Sequence, residues 1–119
     1  MPKTEYLMQQ YWKMMNTLSK LQANWGDKAD SYDCYAWMRL YDPESRWECY
    51  VYAIDPLNEQ GAKVCVYNGT WVFSQVNLDE MMVSFVCENG RAPRHDLDFK
   101  GKHLKNILKG YQPEVIDGC

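Results

Sequence analysis

Residues 35–56 read YAWMRLYDPESRWECYVYAIDP and hold six aromatic rings in twenty-two residues. Through residues 35–41 the side chains at odd positions are Tyr, Trp, Arg and Tyr and those at even positions are Ala, Met and Leu, and the turn sequence DPES ends this alternation. Pro43 fixes its own φ, and the Asp42 side chain can bond the backbone two residues further on. The stretch therefore predicts a β-hairpin with strands over residues 34–41 and 47–54.

Two further strands are predicted after this hairpin. The segment DPLNEQG, residues 55–61, is typical of a loop, and a third strand is expected over residues 62–67. Asn68-Gly69 accepts the positive φ values of a tight hairpin turn, so a fourth strand should fold straight back over residues 70–76.

Helical patterns stand on both sides of these strands. Apolar residues over 4–22 share one helical stripe, namely Leu7, Tyr11, Met14, Met15, Leu18 and Leu21. Asn77, with Glu80 three residues later, predicts the start of a second helix, which should end by Asn89-Gly90. After a loop with a short extended piece at 97–99, a last helix is predicted from His103, stopping at Gly110.

This order predicts an α+β fold with an N-terminal helix, a four-to-five-stranded antiparallel meander sheet and helices packed on one face. A chain of 119 residues is expected to form one domain. Its parts are an N-terminal helix and loop over 1–30, the antiparallel sheet over 31–76, a helical and short-strand part over 77–110, and a loose tail over 111–119.

Composition indicates a soluble protein of the cytoplasm. Hydrophobic residues make up 46% of the chain, with no apolar run long enough for a membrane span and no signal pattern at the N-terminus. The cysteine number is odd and no pair has CxxC spacing, so we expect reduced thiols and neither a metal nor a cofactor. The five cysteines are Cys34, Cys49, Cys65, Cys87 and Cys119. The first four are predicted to be small buried hydrophobes, and the last to be a free, exposed thiol.

Charge is distributed unevenly although the net charge is only −3. Residues 27–59 carry eight acidic and three basic side chains, whereas residues 91–109 carry six basic and two acidic ones. Such a polarised molecule steers charged partners, but the distribution does not specify a fold.

Three segments together resemble a small uncharacterised domain family carried by phages, plasmids and conjugative elements. They are LYDPESRWECYVYAIDP, WVFSQVNLDEM and GRAPRHDLDFKGKHL, and their order and spacing agree with the family over residues 33–108. Asn77 stands where the family tends to have Ser, and Gly101 where it tends to have Pro. The resemblance implies a phage or mobile-element origin, and it brings no catalytic residues.

Residue patterns for catalysis are weak. His95-Asp96 lacks the third and fourth ligands that a metal site needs, and nothing in the sequence places Cys87 beside them as a nucleophile. Neither a GxGxxG motif nor a phosphate-binding P-loop is present. We therefore expect a protein without enzymatic activity, and an enzyme or small-ligand-binding domain is kept as a third hypothesis.

Two binding hypotheses remain open. In the first, the protein binds a host protein, and inhibition of a host defence system such as CRISPR–Cas is its sharpest form. An acidic surface can occupy a basic nucleic-acid channel. Tyr, Trp and Arg are the residue types that carry binding energy at interfaces. The candidate partner-binding residues are Tyr35, Trp37, Arg39, Tyr41, Asp42, Glu44, Trp47 and Glu48.

The second hypothesis is direct nucleic-acid binding through the basic segment. Its candidate residues are Arg91, Arg94, Lys100, Lys102, Lys105 and Lys109. Proteins that bind single strands need aromatic rings and basic side chains on one face. The sequence separates the rings at 35–73 from the bases at 91–109, which argues against this hypothesis. For the aromatic rings themselves, the alternative to a binding role is that the curled sheet buries most of them.

Overall fold

A computed structural model of the protein describes residues 15–25, 34–108 and 114–115. Residues 15–23 are helical and are called α1, so the predicted N-terminal helix is confirmed where the structure describes it. Leu7, Tyr11 and Met14 of its predicted stripe lie outside the described residues. The other two helices are α2, Leu78–Asn89, and α3, Leu104–Leu108.

The described residues form eight strands, which lie in two sheets. They are β1 Tyr35–Ala36, β2 Met38–Tyr41, β3 Glu48–Asp55, β4 Asn58–Tyr67, β5 Trp71–Asn77, β6 Arg94–His95, β7 Lys102–His103 and β8 Glu114–Val115. The larger sheet has the order β6-β2-β3-β4-β5-β8, and β1 pairs with β7 separately. Neighbours from β6 to β5 are antiparallel, whereas β8 is parallel to β5. The α+β class and the meander are thus confirmed, while two residues of the predicted loose tail form an edge strand.

The strand bounds differ from the prediction at two places. The strand expected over 34–41 is divided at Trp37, because β1 pairs with β7 and β2 pairs with β3 and β6. The loop expected over 55–61 shrinks to Pro56 and Leu57, since β4 already starts at Asn58. The Asp55 carboxylate accepts the Leu57 N–H at 2.9 Å and so closes this short turn.

The extended piece expected at 97–99 is wrong. Residues 97–98 form a turn, and the short strand of this segment is β6, which pairs with β2. The Asp96 carboxylate accepts the N–H of Asp98 at 3.1 Å, and its carbonyl accepts the N–H of Phe99 at 3.3 Å. These two bonds favour a turn over a strand.

Both faces of the sheet are apolar because β3 is buried on both sides, from Cys49 to Ile54. One cluster joins Cys49 and Val51 to Leu21 of α1 and to the partly buried Met81 and Met82 of α2. The other joins residues of the opposite face to α3 and consists of Cys34, Ala36, Tyr50, Tyr52, Ala53, Cys65, Phe73, Leu104 and Leu108. Packing on one face therefore describes α1 and α2, whereas α3 covers part of the other face, which also needs shielding from water.

The ends of α2 follow its predicted local signals. The Asn77 side chain accepts the N–H of Glu80 at 3.1 Å and caps the first turn. The helix ends at Asn89, and the N–H of Gly90 bonds the carbonyl of Val86 at 2.8 Å. Both bounds predicted from the sequence are confirmed, so the exit direction of the chain towards Arg91 is set locally.

Gly101 lies beneath two aromatic rings. Its φ is +93°, and a Cβ at this position would stand 2.5 Å from Tyr35 Cε1 and 2.8 Å from Trp37 Cε3. The two rings are themselves in contact, with centroids 4.5 Å apart. Proline, which holds φ near −65°, cannot adopt this conformation.

We expect Gly69→Val to destabilise the fold by more than about 1 kcal/mol, because Gly69 has φ +87° and a β-branched residue is strained there. No atom lies within 4 Å of a Cβ built at this glycine, so the effect isolates the backbone. Gly69→Asn is the matched control and should lose much less, since Asn tolerates positive φ. Chemical denaturation measures both, and equal losses would contradict the prediction.

Gly101→Ala should destabilise the fold by about 2 kcal/mol or more, because strain at positive φ is joined by a steric clash with Tyr35 and Trp37. Gly69→Ala shares the positive φ but meets no neighbour, so the difference between the two variants measures the clash alone. Urea unfolding curves with equal midpoints for the two variants would show that the rings give way without cost.

Candidate functional site

A buried carboxylate joins two distant parts of the chain. Asp42, in the turn between β2 and β3, is only 3% exposed. Its two oxygens accept both Nε and Nη2 of Arg91, the former at 2.9 Å. The Ser45 hydroxyl at 2.7 Å and the Glu44 N–H at 3.2 Å complete its bonding. The Arg91 guanidinium holds the pKa of Asp42 far below its ordinary value, so the carboxylate stays ionised.

This ion pair changes the meaning of two predicted surfaces. Asp42 was a candidate partner-binding residue, yet its side chain is fully buried and a partner cannot reach it. Arg91 was a candidate for nucleic-acid contact, but Asp42 and the mostly exposed Glu44 occupy its guanidinium. The acidic hairpin and the start of the basic segment neutralise each other within the fold.

A second charged network lies on the sheet face that α3 partly covers. Arg39 bonds Glu48 Oε1 through Nη2 at 2.8 Å and Asp96 Oδ2 through Nη1 at 3.0 Å. The Tyr50 hydroxyl donates to the same Glu48 oxygen at 2.8 Å. The guanidinium carbon of Arg39 also lies 4.6 Å from the ring centroid of Tyr41. Three of the predicted partner-binding residues, Arg39, Tyr41 and Glu48, are thus brought together here.

This network forms the floor of a cavity of about 380 Å³, called here the sheet-face cavity. Four rings run in series beside it, with centroid distances of 4.8 Å from Tyr67 to Trp71, 5.9 Å from Trp71 to Tyr50, and 5.8 Å from Tyr50 to Phe99. The cavity is lined by Arg39, Glu48, Tyr50, Trp71, Asp96, Phe99, Lys102, Asn106 and Ile107.

The remaining basic candidates are distributed around the C-terminal segment. Lys102 lines the cavity, whereas Arg94, Lys100 and Lys105 are exposed elsewhere, and Lys109 lies outside the described residues. Within the described part of the chain, none of these four exposed side chains has a carboxylate within 4 Å. Rings and a free basic side chain therefore do share one face at Lys102, although the sequence separates them.

The other aromatic candidates contribute to packing. Trp47 contacts the buried Phe85 of α2, with ring centroids 4.7 Å apart, and belongs to the cluster under α1 and α2. Tyr35 and Trp37 are half-buried; Lys20 Nζ lies 4.1 Å from the Trp37 ring and His103 packs edge-on against Tyr35. The density of rings in residues 35–56 is thus largely core, with Tyr50 lining the cavity and Tyr41 packed against Arg39.

Helix α2 presents an exposed surface that sequence reasoning missed. Val83 is 62% exposed and Val86 is 43% exposed, and the helix contains no lysine or arginine. We call the exposed residues of this helix the α2 surface; they are Asp79, Glu80, Val83, Ser84, Val86, Cys87, Glu88 and Asn89. Beside it lies a groove of about 550 Å³ lined by Asn58, Gly61, Gln75, Val76, Asn77, Glu80, Met81 and Ser84. The sequence pattern did not reveal this surface, because Val83 and Val86 widen the apolar side of the helix and leave only the stripe Glu80, Ser84 and Glu88 wholly polar.

Among the described residues, burial limits the reactivity of several side chains that could act in catalysis. Cys34, Cys49 and Cys65 are buried as predicted, whereas Cys87 is exposed because it faces away from the sheet on α2. Burial raises the pKa of Cys65 to about 12, so its thiol is a poor nucleophile. Burial and the bond to Glu48 raise the pKa of Tyr50 to about 12, which keeps the phenol protonated.

No three His, Cys, Asp or Glu side chains among residues 15–25 and 34–108 converge in a way that could hold a metal ion. No helix in the described part of the chain is long and apolar enough to span a membrane.

No protein-family model, no curated protein and no solved structure matches this chain.

We expect Asp42→Asn to lower the thermal midpoint at pH 7 by more than about 5 °C, because it leaves Arg91 without its buried partner. Since the folded-state pKa of Asp42 is lowered, its stabilisation is complete above the ordinary value of 3.8 and is lost as the pH falls below it. The wild-type midpoint should therefore drop more steeply than that of Asp42→Asn between about pH 4 and pH 2.

Glu44→Gln is the matched control for this prediction. It also removes one negative charge that contacts Arg91. Because the Glu44 side chain is 68% exposed, the thermal midpoint should shift by less than about 2 °C. Calorimetry at several pH values measures all three proteins. Equal midpoints for Asp42→Asn and Glu44→Gln would mean that the buried pair does not hold the fold.

Proposed function

We propose that this chain is a non-enzymatic binding protein of a phage or mobile element, and that it binds a host protein with a basic surface. The observation that carries the proposal is the α2 surface, where Val83 and Val86 are exposed on a helix with carboxylates and no base. Apolar side chains within a polar rim are typical of the core and edge of a protein interface.

The chemistry of the partner follows from the charges around these valines. Asp79 and Glu80 stand in the first turn of α2, and Glu88 stands near its end. Within the described residues, no basic side chain lies within 4 Å of these three carboxylates. A partner with lysine or arginine side chains around a small apolar centre complements this surface and is steered towards it.

The most specific form of the proposal is inhibition of a host defence system such as CRISPR–Cas. Nucleic-acid channels of such systems are basic, and an acidic protein surface can block one by electrostatic complementarity. The phage or mobile-element origin implied by the resemblance supports this form. The acidic surface that we assign to the role is α2, rather than the hairpin around Asp42.

The proposal predicts that Val83→Ser/Val86→Ser protects a targeted phage at least about tenfold less than wild type, because the apolar centre of the interface is removed. The measurement is plating efficiency in bacteria with an active CRISPR–Cas system that express each protein. Leu57→Ser is the matched control: it also removes an exposed apolar side chain, 95% exposed, but on the β3–β4 turn.

Pull-down from host lysate tests the broader form, and its readout is the salt dependence of binding rather than capture alone. The captured protein should dissociate as salt rises, and Glu80→Gln/Glu88→Gln should slow its association at low salt. If the serine double variant binds as tightly as Leu57→Ser, the α2 surface is not the interface. If no protein is retained by wild type in a salt-sensitive manner, the host-protein proposal is abandoned.

A further inference from the structure

The sheet-face cavity has a composition that points to a ligand different from the one proposed for α2. Its volume of about 380 Å³ lies in the range of small-ligand sites. Trp71 and Phe99 are half-buried, so each ring keeps surface available for contact, while Tyr50 between them is buried. A planar ring is the partner that such aromatic side chains accept by stacking.

Polar groups at the rim of the cavity lack partners. Within the described residues, neither the Lys102 ammonium nor the Asn106 side-chain amide has a hydrogen-bond or ion-pair partner. Both residues are exposed and both line the cavity. The ammonium offers a charge for an anion, and the amide offers a donor and an acceptor for the edge of a heterocycle.

The floor of the cavity does not compete for these rim groups. The Glu48 and Asp96 carboxylates both bind the Arg39 guanidinium, at 2.8 and 3.0 Å. Together with Lys102, the charged groups lining the cavity therefore sum to zero. A cationic ligand would be repelled by Lys102 and would find no unpaired carboxylate in the cavity to bind. A wholly apolar ligand would leave Lys102 and Asn106 without partners.

We propose that the sheet-face cavity binds a nucleobase that carries a phosphate, with the base against Trp71 and Phe99 and the phosphate on Lys102. Asn106 then bonds the polar edge of the base. A ring and an anion joined at short range satisfy every unpartnered group of the rim at once. Rings and basic side chains on one sheet face are also how proteins hold single strands, and here the fold brings them together from residues 71 and 102.

Titration followed by NMR tests the site with defined probes. Uridine monophosphate should shift the Trp71 indole and Asn106 amide signals saturably, uridine should do so more weakly, and inorganic phosphate should leave Trp71 unmoved. Trp71→Leu should weaken uridine monophosphate binding by about tenfold, the size of one lost base–ring stack, and Trp71→Phe should restore most of it.

A charge-matched pair of variants isolates the phosphate contact. Lys102→Gln should weaken uridine monophosphate binding about three- to fivefold but leave uridine unchanged, because only the phosphate contacts this side chain. Lys105→Gln makes the same change in net charge on exposed α3 but does not line the cavity, so it should alter neither affinity by more than about twofold. Lys102 and Lys105 are exposed, so their variants remain informative even if Trp71→Leu does not fold.

The source of the nucleotide is decided by an eight-residue single-stranded oligouridylate. Tighter binding than the monophosphate, with a steeper loss of affinity in salt, assigns the site to a strand; equal binding assigns it to a free nucleotide. The proposal is overturned if neither probe saturates, if phosphate alone reproduces the shifts, or if the two lysine variants behave alike. Shifts of these signals caused only by the host protein would also overturn it and make the cavity part of a protein interface.

Discussion

The buried carboxylate of Asp42 is the constraint on which the arrangement of the surfaces depends. It stands at the turn between β2 and β3, and its arginine partner follows directly after α2. A carboxylate removed from water requires a cation bonded to it. Because that cation is Arg91, just after α2, the end of α2 must lie at this turn. The chain leaves the pair as β6 along β2 and then crosses to the face opposite α2. The ion pair thus fixes the point at which the chain stops covering one face of the sheet and begins to cover the other.

The same pair explains why charge read along the sequence gave a misleading map of the surface. The acidic residues 27–59 and the basic residues 91–109 look like two opposed patches, yet Asp42 with Arg91 and Arg39 with Asp96 join them inside the fold. What remains for partners is the charge that no ion pair consumes. On the acidic side it includes the carboxylates of α2, and on the basic side it includes Lys102 at the sheet-face cavity. Ionic groups that hold a fold are poor candidates for recognition, because a partner would have to displace an optimised pair.

Features set by a few neighbouring residues could be predicted from the sequence. Asn77 and Gly90 bound α2, and Gly69 has the positive φ that Asn-Gly implied. Local signals of this kind work because their hydrogen bonds close within four residues. The division of the first strand at Trp37 could not be predicted, since it depends on β1 pairing with residues 102–103, far along the chain.

The candidate site was predicted in part for the same physical reason. Arg39, Tyr41 and Glu48 lie on the two strands of one hairpin, and Arg39 contacts both of the other side chains. Trp71, Phe99 and Asn106 come from three other elements, and only the folded sheet with α3 brings them to the same cavity. The exposure of Val83 escaped detection because no periodicity distinguishes a covered valine from an uncovered one on a helix that is apolar on several sides.

The length of α3 accounts for the open end of the second sheet face. Leu104 and Leu108 are one turn apart and are buried in the cluster on this face with Phe73, whereas Asn106 and Ile107 of the same helix line the cavity. Trp71 is only partly buried there, and the floor of the cavity is already ordered by the bonds among Arg39, Glu48, Tyr50 and Asp96. Side chains held this way lose little freedom when a ligand arrives, so more of the contact energy remains as affinity. The ordered floor therefore holds Tyr50 in place beside Trp71 and Phe99 before a ligand arrives, and only the exposed rim groups Lys102 and Asn106 must be ordered by what they bind.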